Sequence, residues 1–261
     1  REHDQRREDQ DFGLQQVGDR HRAEYNRYNS AFWTQDSFTS HQPPTTVFLM
    51  TQLILIRHGE TLWNTERRMQ GQLDSPLTER GLWQAQRLGE RLKSQPFDTL
   101  YSSDLPRAWR TAECIAAETG HDIVADARLR ERHFGIFEGM TRADMEQRDP
   151  EVHARFMTRD PEFAVPGGES PVAFMARIRA ALEDIAARHA DQTIAVVTHG
   201  LVLDCAWRIA TGLPLQESRP VPLVNASLNW FECDDGRWSA GRWGDAEHLG
   251  DGVTIFGDGT V

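Results

Sequence analysis

The chain carries the sequence LILIRHGET at residues 53–61 and a second segment, IAVVTHG, at residues 194–200. Each segment is a run of aliphatic residues that ends in His-Gly. Such unbroken apolar runs are typical of strands that are buried on both faces of a parallel sheet. Because ligands of these sheets bind at the carboxyl ends of the strands, two neighbouring strands would place His58 and His199 face to face across a crevice.

The rest of the chain alternates predicted strands with predicted helices. Further strands are expected near residues 99–102 and 122–125. Apolar residues recur at helical spacing after Thr78 and again after Ser170, and Ser170 is predicted to cap the second of these helices. A hairpin that adds an edge to the sheet is expected over residues 225–243. The pattern predicts an α/β fold, a doubly wound three-layer sandwich with a mostly parallel sheet.

The two ends of the chain differ in composition from its middle. Residues 1–49 are rich in Gln, Arg, Asp and Asn without an apolar period, and they are predicted to be a disordered N-terminal extension. Met50 is interpreted as the natural start of the protein. We expect one folded domain over residues 50–249 and a frayed tail over residues 250–261.

Composition and motif searches exclude several classes of function. The formal net charge of −11 disfavours a nucleic-acid partner. Without a long apolar run or a secretory signal, the sequence predicts a cytoplasmic protein without a membrane partner and with reduced cysteines. Zinc-ligand spacing and a G-x-S-x-G elbow are absent from the sequence. The oligomeric state stays open between a monomer and a homodimer.

Two histidines at one edge of a sheet favour phosphoryl transfer. A neutral imidazole is a competent nucleophile toward phosphorus when fixed positive charge surrounds the phosphoryl group. Arg57 directly precedes His58, and Arg107 follows a predicted strand, one turn into a helix that Ser103 or Asp104 would cap. Guanidinium groups bind phosphate oxygens in a bidentate manner, so both arginines are candidates for the phosphoryl pocket.

Cleavage of a phosphate ester also needs a proton donor for the leaving alkoxide. The candidate is Glu131, which lies in the segment RERHFGIFEG at residues 130–139. Burial against the aromatic residues of this segment would raise the pKa of Glu131. The neighbouring Arg130 and Arg132 would lower that pKa, and the sequence does not decide between the two effects.

Several further motifs follow the first His-Gly segment in a fixed order. They are Asn64, GQLDSPLT at residues 71–78, SSDL at residues 102–105 with Arg107-Ala108 and Thr111-Ala112, Glu131 with Phe134-Gly135 and Glu138-Gly139, PGGES at residues 166–170, and Thr198-His199-Gly200. With these motifs the chain resembles the histidine phosphatase superfamily, in its phosphoglycerate mutase-like branch, from about Leu53 to about Asn229.

The resemblance implies a role for each candidate residue. His58 would be phosphorylated by the substrate and dephosphorylated by water. Glu131 would protonate the leaving group and then help to activate the hydrolytic water. The implied ligands of the phosphoryl oxygens are Arg57, Asn64, Arg107 and His199. Further substrate contacts are expected from Gln70, Gly71 and Gly200. The resemblance implies no metal and no organic cofactor.

Within the family, the sequence favours a phosphatase that acts on a small-molecule phosphate ester. Only residues 132–168 separate Glu131 from Glu169, which leaves little room for an insertion that would keep water from a phosphohistidine. The segment RRMQGQLD at residues 67–74 is similar to broad-specificity or sugar-phosphoglycerate phosphatases. Three alternatives stay open: a cofactor-dependent phosphoglycerate mutase, a protein-phosphohistidine phosphatase, and a catalytically silent phosphate-binding module.

Overall fold

The computed structural model describes residues 50–254. The extension predicted over residues 1–49 and the last part of the predicted tail, residues 255–261, lie outside the described residues. The strands are β1 (Met50–Arg57), β2 (Thr99–Ser102), β3 (Ile123–Ala125), β4 (Thr193–Thr198), β5 (Leu228–Asp234) and β6 (Arg237–Ala240). They form one sheet in the order β3-β2-β4-β1-β5-β6.

The sheet is mostly parallel, as the sequence predicts. β1 and β2 both pair with β4 in a parallel manner, and β2 pairs with β3 in the same way. The hairpin of β5 and β6 adds two antiparallel strands beside β1. The hairpin is shorter than predicted, because its second strand ends at Ala240. This arrangement puts β1 and β4 in the middle of the sheet.

Helices alternate with the parallel strands along the chain. They are α1 (Leu62–Thr65), α2 (Glu79–Lys93), α3 (Pro106–Thr119), α4 (Arg142–Arg148), α5 (Pro150–Phe156), α6 (Pro171–Arg188) and α7 (Gly200–Thr211). Short 3₁₀ segments lie at Ala127–Leu129, Gly135–Phe137 and Glu247–Gly252. Each described helix is too short or too polar to cross a membrane.

Helices cover both faces of the sheet. Ile54 and Ile56 of β1 belong to one apolar cluster with Leu88 of α2 and Ile115 of α3. The intervening residues of β1 are also fully buried, and α6 and α7 pack against this strand. Each fully buried aliphatic side chain stabilises the fold by about 1.5–3 kcal/mol. The predicted doubly wound, three-layer sandwich is confirmed.

The helix cap predicted at Ser170 is confirmed, and the cap predicted at Ser103 or Asp104 is wrong. The hydroxyl groups of Thr78 and Ser170 accept hydrogen bonds from backbone N–H groups in the first turns of α2 and α6. Helix α3 instead begins after Leu105, without a side-chain cap. The two predicted caps, Ser103 and Asp104, have other partners in the site described below.

The described chain ends with residues that contact the domain. The hydroxyl of Thr254 accepts a hydrogen bond from Gln84 Nε2 at 2.9 Å, and its carbonyl accepts one from the Asn225 N–H. These bonds hold Thr254 against Gln84 of α2 and against Asn225, within the segment from Gly250 that the sequence predicts to be frayed. The three cysteines are free, and they lie in helix, helix and strand as predicted: Cys114, Cys205 and Cys233.

The chain after β1 lies against the start of α2 with no space for side chains. A Cβ on Gly59 would overlap the Gly81 carbonyl, and a Cβ on Gly81 would overlap the Glu60 carbonyl. The Glu60 carbonyl also accepts a hydrogen bond from the Thr78 N–H at 2.9 Å. These contacts fix the backbone that directly follows His58.

Replacement of Gly81 by alanine tests this close approach. Alanine has the higher helix propensity, by about 1 kcal/mol, but overpacking against backbone typically costs about 1–3 kcal/mol. We expect Gly81→Ala to lower the free energy of unfolding, measured by urea denaturation. Gly241→Ala is the control, because its added Cβ would make only ordinary contacts with Trp230. Equal stability of Gly81→Ala and the unmodified protein would contradict the contact.

Candidate active site

The two His-Gly segments meet where β1 and β4 end side by side. Arg57 is the register partner of Thr198, and the His58 N–H donates to the Thr198 carbonyl at 2.9 Å. The imidazole rings of His58 and His199 lie side by side just beyond the ends of these strands, with their centroids 5.3 Å apart and their planes at 60°. The structure therefore brings the two histidines together, as the sequence predicts.

His58 is held as a neutral imidazole. Its Nδ1 lies 2.7 Å from the Gly59 carbonyl oxygen, which only accepts hydrogen bonds. Nδ1 therefore carries the proton, and Nε2 keeps its lone pair. Burial lowers the pKa of His58 well below its usual value, and the charges of Arg107 and Arg57 lower it further. A neutral ring with an unprotonated Nε2 is the form that attacks phosphorus.

Backbone carbonyls orient the two arginines beside this ring. Arg57 donates to the Leu223 carbonyl at 2.7 Å. Arg107 donates to the carbonyls of Gly71 at 2.6 Å and Leu73 at 2.9 Å. Burial lowers the pKa of Arg107 to about 10, so it remains positively charged at neutral pH. The neutral carbonyls orient the two guanidinium groups without neutralising their charge.

Glu131 is a buried carboxyl group next to this positive charge. Its Oε1 accepts from the Arg132 N–H at 2.8 Å, and its Oε2 accepts from the Leu201 N–H at 3.1 Å. Burial raises the pKa of Glu131, against the opposing effects of these bonds and of Arg107. Burial therefore decides the question that the sequence leaves open. A carboxyl group with a raised pKa suits a proton donor.

The arginine that precedes Glu131 in the sequence is paired elsewhere. Arg130 donates to both carboxylate oxygens of Asp104, at 2.6 and 2.5 Å. This pairing lowers the pKa of Asp104. Asp104 is consequently held ionised and is a poor proton donor. The pairing also explains why Asp104 does not cap α3.

His199 is completely buried at the same edge. Its Nε2 lies 2.8 Å from the Ser103 hydroxyl, which also accepts from the Leu105 N–H. Among the described residues, no group bonds to Nδ1 of His199. Burial, followed by the charge of Arg107 and by His58, lowers the pKa of His199 well below its usual value. Because the Ser103 hydroxyl contacts His199, Ser103 does not cap α3.

The other residues that the sequence predicts to contact the substrate are each held in a different way. The Asn64 Oδ1 accepts from the Thr61 N–H and from Asn225 Nδ2. Gln70 Oε1 is buried without a hydrogen-bond partner in the described part of the chain. Gly71 has φ of 56° and offers its carbonyl to Arg107. Gly200 is the first residue of α7, where a Cβ would lie 3.5 Å from Arg57 Nε.

Glu138 is a residue whose role the sequence did not indicate. Its Oε1 accepts from the Gln72 N–H at 2.8 Å and from the Phe134 N–H at 3.0 Å. A Cβ on Gly71 would overlap this carboxylate, so a glycine is required at that position. Glu138 therefore ties the loop that holds Arg107 to the segment that follows Glu131.

Arg177 on α6 is a second residue whose role the sequence did not indicate. It donates to the carbonyls of Arg128, Arg130 and Glu131, and it pairs with Glu169 at 2.7 Å. The Glu169 carboxylate also accepts from the His133 N–H at 3.0 Å. This ion pair fixes the backbone on both sides of Glu131.

The geometry supports one kind of chemistry. It combines a neutral imidazole nucleophile, two oriented guanidinium groups and a carboxyl group with a raised pKa. Within residues 50–254, no cluster of three His, Cys, Asp or Glu side chains is arranged to hold a metal ion. The arrangement is suited to transfer of a phosphoryl group to and from His58.

Comparison with known proteins agrees with this geometry. The family model of the histidine phosphatase superfamily (branch 1) matches residues 53–246. The chain belongs to this superfamily. Its members include phosphatases and phosphoglycerate mutase-like proteins, and membership supports an enzyme with phosphatase-like activity.

Individual members of the histidine phosphatase superfamily are similar over most of the chain. The probable phosphoglycerate mutase GpmB of Proteus mirabilis is 38% identical over 207 residues, which cover 77% of this chain and 96% of that protein. The solved structure of YhfR from Bacillus stearothermophilus has a TM-score of 0.71 at 38% identity and covers 76% of this chain and 99% of its own. The solved structure of a mycobacterial glucosyl-3-phosphoglycerate phosphatase has a TM-score of 0.66 at 30% identity, and it covers 76% of this chain and 100% of its own.

The buried histidines predict how stability depends on pH. His58 and His199 have pKa values well below 6.5 in the folded state. Below pH 6.5 the unfolded chain therefore binds protons that the folded protein does not, and the free energy of unfolding falls by about 1.4 kcal/mol per pH unit for each histidine. The raised pKa of Glu131 acts in the opposite sense, because it destabilises the fold as the pH rises above about 4.5.

The variant His58→Asn isolates one histidine. The asparagine amide retains a donor for the Gly59 carbonyl but does not titrate. We expect the slope of unfolding free energy against pH, measured by urea denaturation between about pH 6.5 and 5.5, to decrease by about 1 kcal/mol per unit. An unchanged slope would show that the folded protein protonates His58 in this range.

Proposed function

We propose that this protein hydrolyses small phosphate monoesters through a phosphohistidine intermediate on His58. The observation that carries the proposal is the state of the His58 ring. Its Nδ1 proton is fixed on the Gly59 carbonyl, and burial keeps the ring neutral, so Nε2 is a nucleophile at neutral pH.

In the first step, Nε2 of His58 attacks the phosphorus atom in line with the leaving oxygen. A P–N bond forms as the P–O bond breaks. The negative charge on the phosphoryl oxygens is stabilised by Arg57, Arg107 and His199. Glu131 donates its proton to the leaving oxygen, and the alcohol departs.

In the second step, water replaces the alcohol. Glu131, now a carboxylate, accepts a proton from the water as its oxygen attacks phosphorus. The P–N bond breaks, inorganic phosphate is released, and His58 returns to its neutral form. Glu131 regains its proton in this step, so the cycle ends with the enzyme in its initial state.

The short segment after Glu131 supports hydrolysis. Residues 132–168 contain the 3₁₀ segment Gly135–Phe137 and the two short helices α4 and α5, and the side chains of Phe137, Met145, Phe156 and Val165 pack into a small core of their own. A mutase has to keep water from the phosphohistidine while its substrate turns round. A compact segment of this length favours access of water.

A phosphoglycerate mutase is the second candidate. The GpmB protein of Proteus mirabilis, at 38% identity, is named a probable phosphoglycerate mutase. Such an enzyme would use the same histidine, but it would return the phosphoryl group to the substrate. It would therefore require a bisphosphoglycerate primer and would release no net phosphate.

A phosphate-release assay tests the two candidates. The purified protein is incubated with p-nitrophenyl phosphate, 3-phosphoglycerate, sugar phosphates and glucosyl-3-phosphoglycerate, without added metal or primer. We expect release from at least one ester and loss of release in His58→Ala. Interconversion of 2- and 3-phosphoglycerate only with primer, without release from any ester, would support the mutase and contradict hydrolysis.

The proton donor is tested by the dependence on the leaving group. Alkyl phosphates need a proton for their alkoxide, whereas p-nitrophenolate leaves without one. We expect Glu131→Gln to slow hydrolysis of an alkyl phosphate by about 10²–10⁴-fold and to affect p-nitrophenyl phosphate much less. Asp104→Asn is the matched control, because Asp104 is paired with Arg130. Equal slowing of both esters by Glu131→Gln would contradict the proton-donor role.

A further inference from the structure

A second cavity lies beside α7, behind the segment that carries Glu131. Its volume is about 140 Å³. Its wall combines three phenylalanines with residues from α7 and from the Glu131 segment: Phe156, Phe163, Phe174, Leu201, Cys205 and Arg132. Engineered cavities of about 150 Å³ bind benzene, so this space accommodates one six-membered ring.

The cavity is distinct from the phosphoryl pocket. In the described part of the chain, its wall contains neither of the two facing histidines nor the two arginines beside them. The two sites are nevertheless neighbours. Arg132 and Leu201, which line the cavity, are the two residues whose N–H groups bond to the Glu131 carboxyl group.

Arg132 is a buried cation on this wall, whose other charged residues are Arg159, Arg208, Arg219, Asp160, Asp204 and Glu217. Only 5% of this residue is exposed, and its Nε donates to the Glu169 carbonyl at 2.9 Å. Its guanidinium carbon lies 5.0 Å from the centre of the Phe134 ring. Within residues 50–254, no carboxylate forms a salt bridge with Arg132, and Glu169 is paired with Arg177 instead. Burial of this cation lowers its pKa to about 10.

The charges of Glu131 and Glu169 act on Arg132, but neither carboxylate forms a salt bridge with its guanidinium, and proteins normally pair buried cations directly. The other arginines of the cavity wall differ from Arg132 in pairing or in exposure. Arg208 and Arg219 both pair with Asp204, whereas Arg159 is exposed and donates to the Ser218 hydroxyl. Arg132 is therefore the group on this wall that an incoming anion would satisfy.

We propose that this cavity binds a small organic anion, a monocarboxylate with a ring-sized apolar body. The ring lies among Phe156, Phe163 and Phe174, and the carboxylate accepts hydrogen bonds from Arg132. Aromatic side chains and one oriented charged group are the typical composition of small-molecule sites. The site holds a ligand other than the phosphate ester, next to the backbone that positions Glu131.

Binding of benzoate tests the proposal directly. Isothermal titration calorimetry is expected to show one saturable site, and benzyl alcohol, which has the same ring but no charge, is expected to bind at least about tenfold more weakly. Benzoate affinity is expected to change less than about twofold in saturating inorganic phosphate or in His58→Asn. The measurement does not require activity, so it stands whether or not the proposed hydrolysis is correct.

Three variants locate the site. Arg132→Met removes the buried cation and is expected to weaken benzoate binding at least about tenfold. Arg159→Met is the matched control, because it removes an exposed arginine of the same wall, and it is expected to change affinity less than about twofold. Ser218→Trp fills the cavity from an exposed position and is expected to abolish binding. Thermal unfolding of each variant verifies that it folds.

Each contrary result overturns the proposal. Displacement of benzoate by phosphate would place its binding in the phosphoryl pocket. Equal binding by the unmodified protein, Arg132→Met and Ser218→Trp would place it outside the cavity. Absence of binding for both benzoate and cyclohexanecarboxylate would show that the cavity takes no ring-sized carboxylate. Equal affinities for benzoate and benzyl alcohol would show that Arg132 does not bind the carboxylate.

Discussion

The pairing of β1 with β4 is the constraint on which the rest of the site depends. The register that places Arg57 opposite Thr198 also places His58 opposite His199. A shift by one residue would turn every side chain of β1 to the opposite face of the sheet. The fully buried residues of β1 and β4 oppose such a shift, because each of them fits only one layer of the sandwich. The apolar core thus sets the geometry of two polar side chains.

Backbone groups supply most of the fixed polar contacts in the site. The carbonyl of Gly59 orients His58, those of Gly71 and Leu73 orient Arg107, and two N–H groups hold Glu131. Backbone dipoles position charged groups without neutralising them, and they do not have to reorganise during the reaction. Glycine is required at position 71 because the chain passes directly over a buried carboxylate there.

The features that the sequence predicted correctly arise from local patterns. Unbroken apolar runs indicated β1 and β4, helical spacing of apolar residues indicated α2 and α6, and Ser170 indicated the start of α6. The sequence could not determine the pKa of Glu131, because burial depends on packing between distant segments. For the same reason it assigned Ser103 and Asp104 to a helix cap, whereas His199 and Arg130 are their partners. The contacts of Arg177 also join residues far apart in the chain.

The bonds between Arg107 and the loop at residues 71–73 couple anion binding in the phosphoryl pocket to the state of that loop. An anion that binds the guanidinium of Arg107 alters how strongly this guanidinium holds the Gly71 and Leu73 carbonyls. By linkage, if a molecule bound to this loop changes the affinity for phosphate, then phosphate changes the affinity for that molecule by the same factor. The part of a substrate beyond its phosphoryl group can thus influence how tightly the phosphoryl group is held.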